Sequence, residues 1–452
     1  MVSAATIIPC TTLALLCTAL FLMAWRIESH CLIILTPFLV MMVNELVRVL
    51  PGFIYAAYTG VSPDCYAMVV FVTGFVALIG GIICSLGLMG YRTSMPEDFL
   101  NKEIAVTREA ELFAAIVFCS LILFLVGLHS YQGVPSVIKG LLGFLKGQAG
   151  DEIAQYVSTS RREITKDLLF GGVYRGQGMM SILSRVGWPF LISMALVVYM
   201  KTKKIKWLCL ICVLFVLSFI FIAGNGTRGP FLNTIIIYII LISFMKRIRI
   251  RFVALSLVVI VSMGVFLGSY SNKMYYILSG DDRIVKAISS ISERILISNS
   301  LNDVNAIELV REGVIKHKMG MLHVRDLQAV FPGTSGGLPF SNELAMILNP
   351  TSSSTTFATG TYITKPYVDF GILGVGLIFL FIGLLAGMSQ TLILTKTKKD
   401  PFYLAIGAML TYYTGLMVMT SLMNIMSTLL VLLFFSLLVG TVMRACNTAR
   451  SL

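Results

Sequence analysis

The chain has 452 residues, of which 57% are hydrophobic and 13% charged, with a mean hydropathy of +0.88 and a formal net charge of +13. That balance excludes an ordinary soluble globular domain and points to a polytopic membrane protein. In a soluble chain the positive charge would suggest nucleic acid, but here Lys and Arg gather in short loops between apolar runs, where they set topology, and no nucleic-acid partner is expected.

The hydrocarbon core of a bilayer is about 30 Å thick and takes about 20 helical residues to cross. The N-terminal stretch MVSAATIIPCTTLALLCTALFLMAW lacks a basic leader region and reads as a retained first span. In chain order, windows of the required length fall near 4–25, 31–50, 66–90, 111–130, 182–200, 206–224, 229–246, 252–270, 371–394, 402–421 and 424–442. The expectation is an all-α polytopic protein of about 11 spans. Spans 1–4 occupy 1–130, spans 5–8 occupy 182–270, and spans 9–11 with the C-terminus occupy 371–452. The intervening segments, 131–181 and 271–370, are two large loops.

Charge orients the spans. Arg92, Lys102 and Arg108 follow span 3, and Lys201, Lys203, Lys204 and Lys206 follow span 5. Lys246, Arg247, Arg249 and Arg251 follow span 7, Lys396, Lys398 and Lys399 follow span 9, and Arg444 and Arg450 follow span 11. All these loops fall on one side if the spans alternate, so the C-terminus is expected in the cytoplasm and the N-terminus outside, together with both large loops.

Several features have a plain reading. Cys209 and Cys212 form a C-x-x-C inside the apolar run WLCLICVLF and read as packing rather than redox chemistry. The histidines His30, His129, His317 and His323 lack metal-ligand spacing, so neither a metal nor a cofactor is expected. Glu45 and Arg48 in span 2 stand at i, i+3 and can form a buried pair.

The loops carry the chemistry-bearing residues. Arg228, in GNGTRGP between spans 6 and 7, lies on the side where topology does not call for a positive charge. An arginine there can snorkel to lipid phosphates. With Gly226, Gly229 and Pro230 opening span 7, it can also build a phosphate site from a guanidinium and a helix N-terminus. Arg175 sits in the Gly-flanked stretch GGVYRGQG, where a ligand can approach the backbone closely.

The second loop has two halves. Its first half reads as helical, with Ile284, Ile288, Ile291 and Ile295 as one apolar stripe and Arg294 beside it. Its second half, from about 324, is rich in Gly, Pro, Ser and Thr and shows little regular pattern. Its aromatics, Tyr362 and Tyr367 among them, argue against disorder and suit sugar binding. Arg325, Asp326, Glu343 and Lys365 are its candidate charged site residues; the candidate bases on the outer side as a whole are Asp326, Glu343, His323 and His129.

The arrangement of spans and loops, the GTRGP turn, the VRD triplet and the late segment TYITKPYVDFGILGVG resemble the Wzy-type O-antigen (oligosaccharide repeat-unit) polymerases. The resemblance implies a GT-C-like, all-helical glycosyltransferase of the bacterial inner membrane whose two large loops are periplasmic. It implies transfer of a growing glycan from undecaprenyl pyrophosphate onto the terminal sugar of a new lipid-linked repeat unit, with inversion. The implied partners are that lipid-linked oligosaccharide, membrane lipid and a chain-length regulator protein. The expected catalytic set is Arg228, Arg325, Asp326 and Glu343, with Arg175, Arg294, Lys365, Tyr362 and Tyr367 binding substrate. Fixed cations aimed at the departing pyrophosphate stabilise the transition state and take the place of a metal. Two rivals stand beside this reading: an O-antigen ligase, which transfers the glycan to lipid A-core and relies on an external histidine, and a lipid-linked oligosaccharide flippase. The absence of a visible repeat weakens the flippase.

Overall fold

The computed structural model describes residues 65–106, 177–222, 228–246, 299–328, 340–350, 363–396, 399–418 and 425–434, with scattered positions in 36–44 and 122–127 and residues 248, 262, 422, 436 and 437. The described residues are mostly helical and contain no strand beyond one isolated bridge, Ile104 with Lys399. The chain divides into two compact units. One takes in Met1–Phe99, Ser289–Thr395 and Thr411–Ser427; the other takes in Leu100–Ile288, Lys396–Leu410 and Thr428–Leu452.

Eleven helices matter here. They are α1 (Cys65–Leu88), α2 (Met95–Asn101), α3 (Gln177–Thr202), α4 (Ile205–Ile222), α5 (Arg228–Met245), α6 (Asn299–Arg311), α7 (Met321–Gln328), α8 (Phe340–Leu348), α9 (Thr364–Thr395), α10 (Pro401–Leu416) and α11 (Ile425–Phe434). Three of them contain stretches long and apolar enough to cross a membrane: Tyr66–Leu88, Ile182–Thr202 and Thr364–Thr395. These coincide with predicted spans 3, 5 and 9, and the architecture is that of an all-α membrane protein. Predicted spans 6, 7 and 11 contain the shorter apolar helices Ile205–Ile220, Leu232–Met245 and Ile425–Phe434. Spans 1, 2, 4 and 8 lie almost entirely outside the described residues.

In the first unit, α1 and α9 lie against each other along their lengths. Glycine makes that approach possible. A Cβ on Gly81 would stand 2.2 Å from the Leu380 carbonyl oxygen, and one on Gly383 would stand 2.1 Å from that of Leu78. Gly387, one turn after Gly383, faces Ser85. Small residues spaced by four let two backbones touch where apolar burial gives no drive between helices. α1 then stops in a Schellman arrangement: Gly90 adopts φ +64°, and the Tyr91 N–H donates to Leu86 O at 2.9 Å.

In the second unit, α3, α4 and α5 pack together around Trp188, Phe190 and Phe244. Lys399 is fully buried there, and its ammonium donates to Leu100 O at 3.2 Å and Phe244 O at 3.1 Å. Phe244 belongs to the last turn of α5, where a cation complements exposed carbonyls and the helix dipole. Burial, and then the charge of Lys102, bring the Lys399 amine down to about 8. The sequence counts Lys399 among the loop charges that set topology; the fold uses it to close a helix end.

The segment read as irregular from about 324 contains most of α7 and all of α8. α9 begins at Thr364, within what the hydropathy pattern assigns to the loop, and its backbone breaks at Gly371 (φ 66°, ψ −158°).

Candidate functional site

The head of α9, residues before the break, organises the second large loop within the first unit. Thr364, the first residue of α9, donates its hydroxyl to Asp303 of α6, and both side chains are fully buried. The Val368 carbonyl accepts from the Lys318 N–H at 3.0 Å and from the His317 ring at Nδ1, 3.1 Å away. The connection from α6 therefore runs back onto α9. It turns through Gly313, Met319 and Gly320, all at positive φ.

Asp369 comes next and is fully buried. Its Oδ1 accepts the Leu322 N–H at 3.1 Å, and its Oδ2 accepts the His323 N–H at 3.2 Å. Those are first-turn amides of α7, which have no partner within their own helix. Asp369 thus acts on α7 as a capping carboxylate supplied from another helix. The same Oδ2 stands 2.5 Å from His323 Nδ1. The ring donates from Nδ1 to the carboxylate, which leaves Nε2 as the nitrogen able to take up a proton. His323 is itself buried, with its ring 6.1 Å from that of Phe370.

Around this pair stand three cations with carboxylate partners. Glu343 of α8 accepts Lys318 Nζ on Oε2 at 2.5 Å and Arg325 Nη1 on Oε1 at 2.7 Å. Burial pushes the Glu343 carboxyl up, but the hydrogen bonds and charges of Lys318 and Arg325 outweigh it and hold the group below its ordinary value. Lys365 donates to both oxygens of Asp326, at 2.9 and 2.7 Å. α7 carries Arg325, Asp326 and His323, so one eight-residue helix joins the two ion pairs to the buried dyad.

The structure therefore brings together five residues singled out by sequence: His323, Arg325, Asp326, Glu343 and Lys365. It pairs them in a way the sequence does not reveal. Asp326 and Glu343 hold cations with both oxygens, and Glu343, held below its ordinary value, is a weak proton acceptor. Tyr367 is buried at 3% exposure, with its ring 6.1 Å from Tyr66 and 6.0 Å from His317. Arg228 is the first residue of α5, with Pro230 in the opening turn; its side chain lies outside the described residues. Arg175, Arg294, Tyr362 and His129 also lie outside them, as do the isoleucine stripe at 284–295, Glu45 and Arg48.

Two members of the site escape the sequence reading. Lys318 carries no motif. Asp369 had a usable signal: a carboxylate two residues ahead of a glycine at the entry to a long apolar run. Among the described residues, no group of three or more His, Cys, Asp or Glu is placed to hold a metal ion.

No protein-family model, curated protein or solved structure matches the chain.

Proposed function

We propose that this protein is a glycosyltransferase of the bacterial inner membrane that polymerises O-antigen repeat units at the periplasmic face. The observation that carries this reading is the buried His323–Asp369 pair beside Lys318, Arg325 and Lys365, assembled at the head of an apolar helix. The acceptor sugar hydroxyl attacks the anomeric carbon of the donor glycan, and its proton passes to His323 Nε2. The bond from that carbon to the undecaprenyl pyrophosphate oxygen breaks, with inversion. Asp369 holds the ring in the required tautomer and offsets the imidazolium charge. Arg325 and Lys365 meet the negative charge that develops on the pyrophosphate, with Glu343 and Asp326 orienting them until substrate arrives. Arg228 enters through the sequence as a further anion contact in the GNGTRGP turn. The cation set stands in for a metal, and no cofactor is invoked. A chain-length regulator is the proposed protein partner.

A second reading is favoured by the same histidine: an O-antigen ligase would use such a base with lipid A-core as acceptor. A deletion strain separates the alternatives. Lipopolysaccharide resolved on a gel should show core plus a single repeat unit for a polymerase. Core without any repeat would point to the ligase or to a lipid-linked oligosaccharide flippase, and would overturn the proposal. Arg325→Ala and Arg228→Ala should each abolish long chains at undiminished protein level, and Arg228→Lys should restore little, because an ammonium lacks the bidentate fork. Normal ladders from both alanine variants would refute the pyrophosphate contact.

A further inference from the structure

One face of α7 points an apolar stripe outward. Met321, Val324 and Leu327 are 51%, 46% and 42% exposed, and their i, i+3, i+6 spacing puts them on one side of the helix. The other side holds Leu322 and His323, both buried. An outward stripe of this kind suits a membrane surface when it adjoins a lipid-facing one.

That continuity is present. Gly320, the residue before α7, lies so close to Phe370 that a Cβ there would stand 2.9 Å from its ring. Phe370, Leu373 and Leu377 are 49%, 76% and 67% exposed and form the outward side of α9 next to the break. The stripe on α7 therefore begins where the exposed stripe of α9 begins.

Length sets the level. Beyond the break at Gly371, α9 runs on from residue 372 to Thr395, which is about 36 Å at about 1.5 Å per residue. The hydrocarbon core is only about 30 Å thick. That stretch crosses the hydrocarbon by itself, so the head that carries Lys365 and Asp369 is not needed within it and the hydrocarbon starts close to Phe370. Because α7 hangs by two of its first-turn amides, those of Leu322 and His323, from Asp369, it lies at that boundary rather than well clear of it.

We propose that α7 is an interfacial helix whose partner is the bilayer itself. Met321, Val324 and Leu327 enter the edge of the hydrocarbon beside α9, and Arg325 sits at the level of the lipid phosphates. This inference rests on the membrane-protein architecture alone and not on the choice between polymerase and ligase.

The test uses single-cysteine variants Met321→Cys, Val324→Cys and Leu327→Cys in a cysteine-free full-length chain. Each is labelled with an environment-sensitive fluorophore and reconstituted in phosphatidylethanolamine–phosphatidylglycerol vesicles. Lys316→Cys, at an exposed position before α7, is the control. Lipids brominated near the headgroup should quench the three α7 probes strongly, with blue-shifted emission and several-fold weaker quenching by iodide than at residue 316. Iodide quenching of residues 324 and 327 equal to the control would overturn the proposal by placing the face in water. Quenching by neither agent would overturn it by showing that protein covers the face. A negative deletion phenotype would leave the result standing, so the two readings fail separately.

Discussion

Asp369→Ala should release α7 from the head of α9. The carboxylate is fully buried and accepts three hydrogen bonds, from the Leu322 and His323 amides and from the His323 ring. Hydrogen bonds to a charged group contribute about 1.5–3 kcal/mol each, and a buried donor left without an acceptor costs about 1–3 kcal/mol. The contributions overlap, and water enters the vacated space. The expected loss is therefore about 3–5 kcal/mol, the range seen when one member of a buried charged pair is removed.

Asp369→Asn separates shape from charge. With its amide oxygen at the Oδ2 position, it keeps both bonds to His323 and turns an NH2 group against the Leu322 N–H. One bond and the charge are lost, at a cost of about 1–3 kcal/mol. Hydrogen–deuterium exchange of the peptide spanning 321–328, on protein in nanodiscs, reads these numbers locally. At about 1.4 kcal/mol per decade, exchange in the alanine variant should accelerate by about a hundredfold or more, and in the asparagine variant by about ten- to a hundredfold. The proposed glycan transfer should fall in both, because the imidazolium loses its counter-charge. Exchange in Asp369→Ala within about threefold of wild type would refute the capping argument and remove the support of the dyad.

Two further outcomes test the scaffold. Gly81→Ala forces a Cβ against the Leu380 carbonyl and should destabilise the α1–α9 pair by about 1–3 kcal/mol, the usual cost of overpacking. Gly376→Ala, whose Cβ would meet Thr73 at an ordinary 3.7 Å, should be neutral or slightly stabilising; equal effects in detergent-unfolding titrations would contradict the close crossing. Lys399 gives a pH signature. Its amine titrates near 8 in the folded protein against an ordinary 10.5, so between these values the unfolded chain binds more protons and stability from this group rises with pH. Below about 8 both states are protonated and the contribution is flat. Lys399→Met should abolish that rise in thermal unfolding measured from pH 7 to 10.5, and an unchanged slope would rule the lysine out as its source.

Hydropathy made α1, α3 and the body of α9 legible, because an apolar run of that length has few other uses. It missed the head of α9 for a specific reason. Lys365 and Asp369 look like loop charges, yet the helix accommodates both because Asp326 and the α7 amides satisfy them. Helices α7 and α8 are too short to be stable alone, and in a segment rich in Gly, Pro and Ser their existence depends on contacts from elsewhere in the chain. The site shows the same division. Residue type and loop position were enough to select Arg325, Asp326, Glu343 and Lys365. Their pairing spans 18 residues for Arg325 with Glu343 and 39 for Lys365 with Asp326, and no local pattern encodes such separations.

The break at Gly371 links the membrane-type helix to the chemistry of the loop. Its φ and ψ lie in a region essentially reserved for glycine. Space is not the constraint, since a Cβ there would meet nothing closer than His317 Cε1 at 3.8 Å. The requirement is one of backbone conformation. Just before the break, the Val368 carbonyl faces the loop and accepts the Lys318 N–H, which fixes the residue whose ammonium grips Glu343. Glu343 in turn holds Arg325, and Asp369, next along α9, holds the helix that carries Arg325 and His323. A single departure from helical geometry thus sets the positions of both the cation proposed to meet the leaving group and the histidine proposed to take the proton. Moving the break along α9 would misplace both together, which is why the apolar span and the polar loop have to be read as one functional element.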